Sequence, residues 1–142
     1  MSRWISHLAL AAALVAVAAC NRTPKAAPSP AEPPKPAATL TADELLDEYK
    51  KNEVGADQKF KDKIVQVSGK VAEVKKDLFG RYFIGLGTAH EDDNFDVMCY
   101  LDKTAEEAAG KLQKGETTTL MGLCQGRAGG LVLTLKSCIL VK

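Results

Sequence analysis

The residues with chemical potential in this 142-residue chain are four cysteines, one acidic run and one set of aromatic and arginine side chains. The cysteines are Cys20, Cys99, Cys124 and Cys138. A thiol can be acylated, can pair, can hold a metal or can attack a substrate, and its neighbours decide which. No CxxC spacing occurs, and the only histidine beyond the N-terminal stretch is His90. A Cys/His metal centre is therefore not expected, nor a bound cofactor. No Ser/His/Asp or Cys/His arrangement is present to activate a nucleophile, and no glycine-rich phosphate loop follows a strand. Glu91, Asp92, Asp93, Asn94 and Asp96 crowd one loop and could offer oxygen ligands to calcium. That run lacks the glycine and terminal glutamate of an EF-hand loop, so a solvated acidic loop is the expectation. The sequence points to binding, not catalysis.

Cys20 belongs to a different kind of signal. Arg3 supplies a positive charge, Ile5 to Ala16 is apolar apart from Ser6 and His7, and Val17-Ala18-Ala19 leads into the cysteine. A secretory signal has these parts in this order, with small side chains before the cut. Cysteine at the first mature position resembles the bacterial lipobox, in which that thiol carries a diacylglyceryl group. The apolar stretch is shorter than the ~20 residues a spanning helix needs. Residues 1–19 are thus expected to be a signal peptide and Cys20 a lipid-bearing residue. All six prolines lie between Pro24 and Pro36, which favours extended polyproline-like backbone over helix or sheet. Residues 20–39 then read as the lipidated cysteine and a Pro/Ala-rich tether, leaving 40–142 as the domain. Asn21 in place of aspartate leans towards the outer membrane, facing the periplasm.

Charge narrows the partners. The whole chain nets +1, but from Leu40 to Lys142 there are 15 Lys and Arg against 17 Asp and Glu. Nucleic-acid binders draw most of their affinity from neutralising phosphates. A domain that nets negative is poorly suited to that.

Several elements must position these residues. Thr41-Ala42-Asp43-Glu44 has the form of a capping box, and Leu45, Leu46 and Tyr49 then give a helical apolar face to about Asn52. Residues 55–63 read as a polar crossing. Ile64, Val65, Val67, Val71 and Val74 mark a long first strand, and Gly69 inside it suggests a bulge or bend. Residues 77–80 form a turn, 81–88 a second strand and 95–101 a third. Thr104 is placed to cap a helix over 105–112, residues 117–124 form a fourth strand, 126–130 a turn and 131–141 a fifth. Three strands, a helix and a hairpin is the order of a five-stranded OB barrel. The fold class expected is therefore all-β dominated: an OB-like barrel with an N-terminal helix and a helix between strands three and four.

The chain also resembles a family of OB-fold lipoproteins named for their likeness to the anticodon-binding OB domain of tRNA-binding proteins. The matching stretches begin with Asn52-Glu53, Ala56-Asp57 and Lys63 to Gly69, then Val97-Met98-Cys99-Tyr100 and Lys114-Gly115-Glu116. Gly122 to Gly126 and Leu133 to Cys138 complete the pattern. Together they span nearly all of residues 41–141. The resemblance implies the OB fold and carries no defined activity.

Within such a barrel strand three runs parallel beside strand five, which would bring Cys99 towards Cys138 and leave Cys124 free. A hairpin turning near Ala128 would separate Cys124 from Cys138 by roughly 20 Å along the ladder, beyond the ~7 Å between bridged Cα atoms. Alternation argues otherwise: Cys99 falls with inward Val97 and Leu101, Cys138 with outward Thr134 and Lys136. A bulge would repair the phase; three separate reduced thiols are the alternative. The same alternation, with Ile84, Leu86, Val97 and Leu101 inward, turns Arg81, Phe83, Met98 and Tyr100 outward on strands two and three. OB barrels bind ligands there, and exposed rings beside an arginine would form a stacking platform for a sugar, a peptide or a base. Packing of those rings beneath the first helix is the competing expectation. The partner expected is a membrane through the lipid, with an envelope protein, peptide or glycan on the platform.

Overall fold

The capping box predicted at Thr41 forms: the Glu44 backbone N–H donates to Thr41 Oγ1 (3.2 Å) and the Thr41 N–H to Glu44 Oε2 (2.8 Å). It opens helix α1 (Ala42–Lys51), whose Leu45, Leu46 and Tyr49 are all at most 2% exposed. The structure, a computed structural model, describes residues 34–87, 95–129 and 131–141. The predicted signal peptide, Cys20, most of the tether and the acidic loop from Glu91 to Asn94 lie outside the described residues.

Five strands close the barrel: β2 (Ile64–Lys76), β3 (Tyr82–Gly87), β4 (Val97–Leu101), β5 (Thr117–Ala128) and β6 (Val132–Leu140). They run in the order β2-β3-β4-β6-β5, and β5 returns to β2. The long first strand joins both halves, as expected. Its residues 64–70 pair with β5 and its residues 70–76 with β3. Strands β4 and β6 are parallel, the remaining barrel pairs antiparallel. The OB architecture read from the element order is the one observed. Val65, Val67, Val71, Ile84, Leu86, Val97, Leu120, Leu133 and Leu135 fill the interior with the face of α1. Burying each such side chain is worth ~1.5–3 kcal/mol.

The local expectations need five corrections. Residues 53–60 form helix α2 (Glu53–Phe60) where a polar crossing was read. Asn52 both ends α1, through its N–H to the Glu48 carbonyl, and caps α2, through Oδ1 accepting from Gly55 N–H (3.1 Å). A short strand, β1 (Ala38–Thr41), pairs parallel with β2 and begins inside the stretch assigned to the tether. The helix expected over 105–112 is shorter: a 3-10 turn at Lys103–Ala105 capped by Asp102, not Thr104, followed by α3 (Glu106–Ala109). Strand β5 continues past Gly126, with a register shift between Cys124 and Arg127. Gly69 does not mark the bulge in β2, which falls at Ala72. Gly69 instead permits close packing, since a Cβ there would sit 3.1 Å from Ala42 Cβ and 3.2 Å from Leu86 Cβ.

The phase problem at Cys138 is resolved by a bulge. Cys99 pairs with Leu135, but Leu101 pairs with Cys138, so β6 carries one extra residue between them. Ser137 takes a left-handed backbone (φ 51°), a conformation costing a non-glycine residue ~1–3 kcal/mol. Beyond it, Cys138 turns inward and is fully buried.

Candidate functional site

The outer surface of β3 and β4 is organised in two rows. Pairing places Lys75, Phe83 and Tyr100 in line, and Glu73, Gly85, Met98 and Thr134 in the next. The residues expected to face outward, Phe83, Met98 and Tyr100, do share this side, and Arg81 lies at its edge. None of the three packs beneath α1, whose buried face lies inside the barrel wall.

Phe83 requires a correction: it is outward-facing but only 7% exposed. Phe95 covers it, their ring centroids 5.8 Å apart, and Tyr100 flanks it at 6.0 Å. Gly85 makes that cover possible, because a Cβ there would come within 2.6 Å of the Phe95 ring. Phe83 is thus the base of an aromatic layer, and half-buried Phe95, Met98 and Tyr100 are its surface. Phe95 went unrecognised as part of this face. Its signal was the run Phe83-Ile84-Gly85, where a bulky outward ring is followed two residues on by an outward gap.

Arg81 completes the layer. Its guanidinium lies 4.4 Å from the Tyr100 ring centre and 5.5 Å from that of Phe79. Asp77 fixes it there. Asp77 Oδ1 accepts from the N–H groups of Phe79 and Arg81 (both 2.9 Å), and Oδ2 accepts from Arg81 Nε (2.8 Å) with Nη2 at 2.7 Å. Desolvation of the Asp77 carboxyl works upwards on its pKa. The hydrogen bonds from Arg81 and Phe79 outweigh it, so the group sits below its ordinary value. Gly80 (φ 80°) supplies the left-handed turn residue. Leu78 and Phe79 stand on the tip, fully exposed and 84% exposed respectively. Lys75, another cation on this side, is ion-paired to Glu73, and Lys136 lies exposed on the neighbouring β6. A preformed stack whose own arginine is already countered is suited to flat or apolar groups more than to phosphates.

Inside the barrel lie the cysteines, Cys99 on β4, Cys124 on β5 and Cys138 on β6. Cys99, Cys124 and Cys138 are free thiols, all fully buried. Cys99 and Cys138 both face the interior on adjacent strands, Cys138 opposite Leu101 and Cys99 opposite Leu135, as thiols and not as a bridge. The expected 20 Å separation of Cys124 from Cys138 does not hold. Cys124 pairs with Leu135, and Cys138 packs against Gly122, two residues from Cys124, or ~7 Å along the strand. The contact with Cys138 and burial together raise the Cys99 pKa. Burial likewise raises that of Cys124, whose sulfur meets the Tyr49 hydroxyl at 3.6 Å. Burial, then the Cys124 contact, push the Tyr49 phenol far above its ordinary range. None of these groups is poised to ionise near neutral pH. Among the described residues, no cluster of His, Cys, Asp and Glu could hold a metal, and no helix is long and apolar enough to cross a membrane.

A closed five-stranded barrel with this strand order defines an OB domain, a fold that typically serves as a binding module. The chain belongs to the tRNA_anti-like family, whose model matches residues 1–139. Among solved structures it is similar to a putative nucleic acid-binding lipoprotein from Klebsiella pneumoniae subsp. pneumoniae. That likeness has 19% identity and a TM-score of 0.55, covering 73% of this chain and 91% of the other. A lesser likeness, to the Stn1-ten1 complex of S. pombe, has 12% identity and a TM-score of 0.41 and covers 56% and 58%. No curated protein matches. At 19% identity the Klebsiella neighbour speaks for the fold alone.

Proposed function

We propose that the chain is a lipid-anchored, non-catalytic OB module of the bacterial cell envelope whose β3–β4 face docks a protein, peptide or glycan by stacking. The carrying observation is the Phe79–Arg81–Tyr100 stack, held rigid by Asp77 and continuous with Phe95 and Met98. Anchoring through Cys20 rests on the lipobox-like N-terminus and agrees with the name of the Klebsiella neighbour. Outer-membrane attachment, facing the periplasm, is part of the same reading.

That neighbour's name also raises nucleic acid as a ligand. The negative balance of residues 40–142 and the pairing of the stack's own Arg81 with Asp77 favour a ligand without phosphates. The test is a photo-crosslinking residue at position 78, exposed beside the stack, in the full chain in cells. The expected product is a protein, peptide or glycan adduct that disappears with Arg81→Ala. A salt-sensitive shift with single-stranded DNA, lost in the same variant, would overturn the reading. Incorporation of labelled palmitate by Cys20→Ala would overturn the anchoring.

A further inference from the structure

Three features of the barrel converge on one pair of sulfurs. The Ser137 bulge turns Cys138 from the outer face to the interior. Gly122 on the neighbouring strand leaves the space that Cys138 occupies: a Cβ at 122 would overlap Cys138 Sγ and lie 2.9 Å from the Lys136 carbonyl. The parallel register of β4 and β6 then sets Cys138 opposite Leu101, two residues along from Cys99, with both sulfurs on the inward face of adjacent strands. The third thiol, Cys124, is held by the Tyr49 hydroxyl. From this geometry we propose that Cys99 and Cys138 close into a disulfide as the chain folds, before β6 seals the barrel, with Cys124 left reduced.

The reaction is thiol–disulfide exchange with an external disulfide. One cysteine, as thiolate, attacks a sulfur of that disulfide and releases one thiol. The second cysteine, deprotonated in turn, displaces the remaining group. The two protein thiols lose two electrons and two protons, and the external disulfide is reduced to two thiols. Timing follows from burial. In the closed barrel both sulfurs are inaccessible, so neither oxidant nor reductant reaches them without opening the sheet. The bond joins two strands that are distant in sequence, and sealing makes it resistant to reduction once made.

Exposure to an external disulfide in the cell rests on the envelope placement proposed above, so the chemistry is tested apart from it. The full chain carrying Cys20→Ala, which leaves only the barrel thiols to count, is denatured, reduced and refolded with excess oxidised glutathione. One alkylatable thiol is expected on subsequent denaturation, at Cys124, with a Cys99–Cys138 linked peptide by mass spectrometry. Cys124→Ser should still form the bridge, and Cys138→Ser should not. Refolded protein should keep the bond in dithiothreitol until denaturant is added. Three reactive thiols, a bridge containing Cys124, or reduction as fast in the folded as in the denatured protein would each overturn the proposal. A thiol count on lipidated protein taken unreduced from cells tests the placement separately.

Discussion

The two faces of β4 carry the same kinds of atoms to opposite ends. Cys99 points inward and Tyr100 outward, one residue apart, yet the first is sealed and the second half-exposed. Inside, burial raises thiol pKa values and removes access, so potentially reactive groups become packing atoms. Outside, an arginine, an aspartate and the rings of Phe79, Phe95 and Tyr100 are held in a layer over buried Phe83. Residues suited to chemistry by type are thus silenced by position, while ordinary surface residues become the site by being ordered. Substitutions on the two faces should separate accordingly, with inner changes costing stability and outer ones costing binding.

The largest effect should come from Leu135→Ala. Leu135 is fully buried and pairs with both Cys99 and Cys124. Removing it should cost ~2–5 kcal/mol in urea unfolding, while the folded fraction still crosslinks from position 78. Gly122→Ala should come next, at ~1–3 kcal/mol, because its methyl overpacks against Cys138 and the Lys136 carbonyl. An unchanged unfolding midpoint there would break the link drawn between Gly122 and the seating of Cys138. Tyr100→Ala should invert the pattern. Losing the ring pair with Phe83 should cost only ~0.5–1.5 kcal/mol, while adducts captured from a photo-crosslinking residue at position 78 fall to background. If Tyr100→Ala unfolds the domain instead, the outer layer belongs to the core and the contrast fails.

What could be read from sequence follows from which interactions are local. The Thr41–Glu44 cap spans three residues and was legible in full. Alternation of Val, Ile and Leu gave the strands, and their order gave the barrel. Helix α2 was missed because only Ala56 and Phe60 are buried, too thin a stripe to show periodicity. Strand β1 was missed because four residues beside the prolines carry little signal, and the edge of β2 supplies their order. On the face, alternation set the direction of Arg81, Phe83, Met98 and Tyr100 correctly, but could not say that Phe95 folds back over Phe83. The cysteine geometry depended on bulges at Ser137 and near Gly126, each shifting every later pairing by a residue or more. A one-residue shift costs little to form and reverses which face a side chain meets.

The smallest predicted effect tests the outer layer alone, through Asp77. Its folded-state pKa lies below the ordinary 3.8 because Arg81 and Phe79 donate to the carboxylate. Well above pH 3.8 the group is ionised whether the hairpin tip is formed or not, and its full contribution is present. As pH falls through that value, the unfolded tip takes up a proton first, so the contribution is lost progressively and is gone below the folded pKa. The Phe79 and Arg81 amide resonances should therefore titrate together with a midpoint below 3.8, and Asp77→Asn should abolish that titration. The variant should also loosen Arg81 over Tyr100 and weaken ligand capture at neutral pH, with the interior thiols unaffected. A midpoint at or above the ordinary value would mean that Asp77 does not hold the arginine, and the layer would lose the rigidity that sets it apart from any other exposed tyrosine.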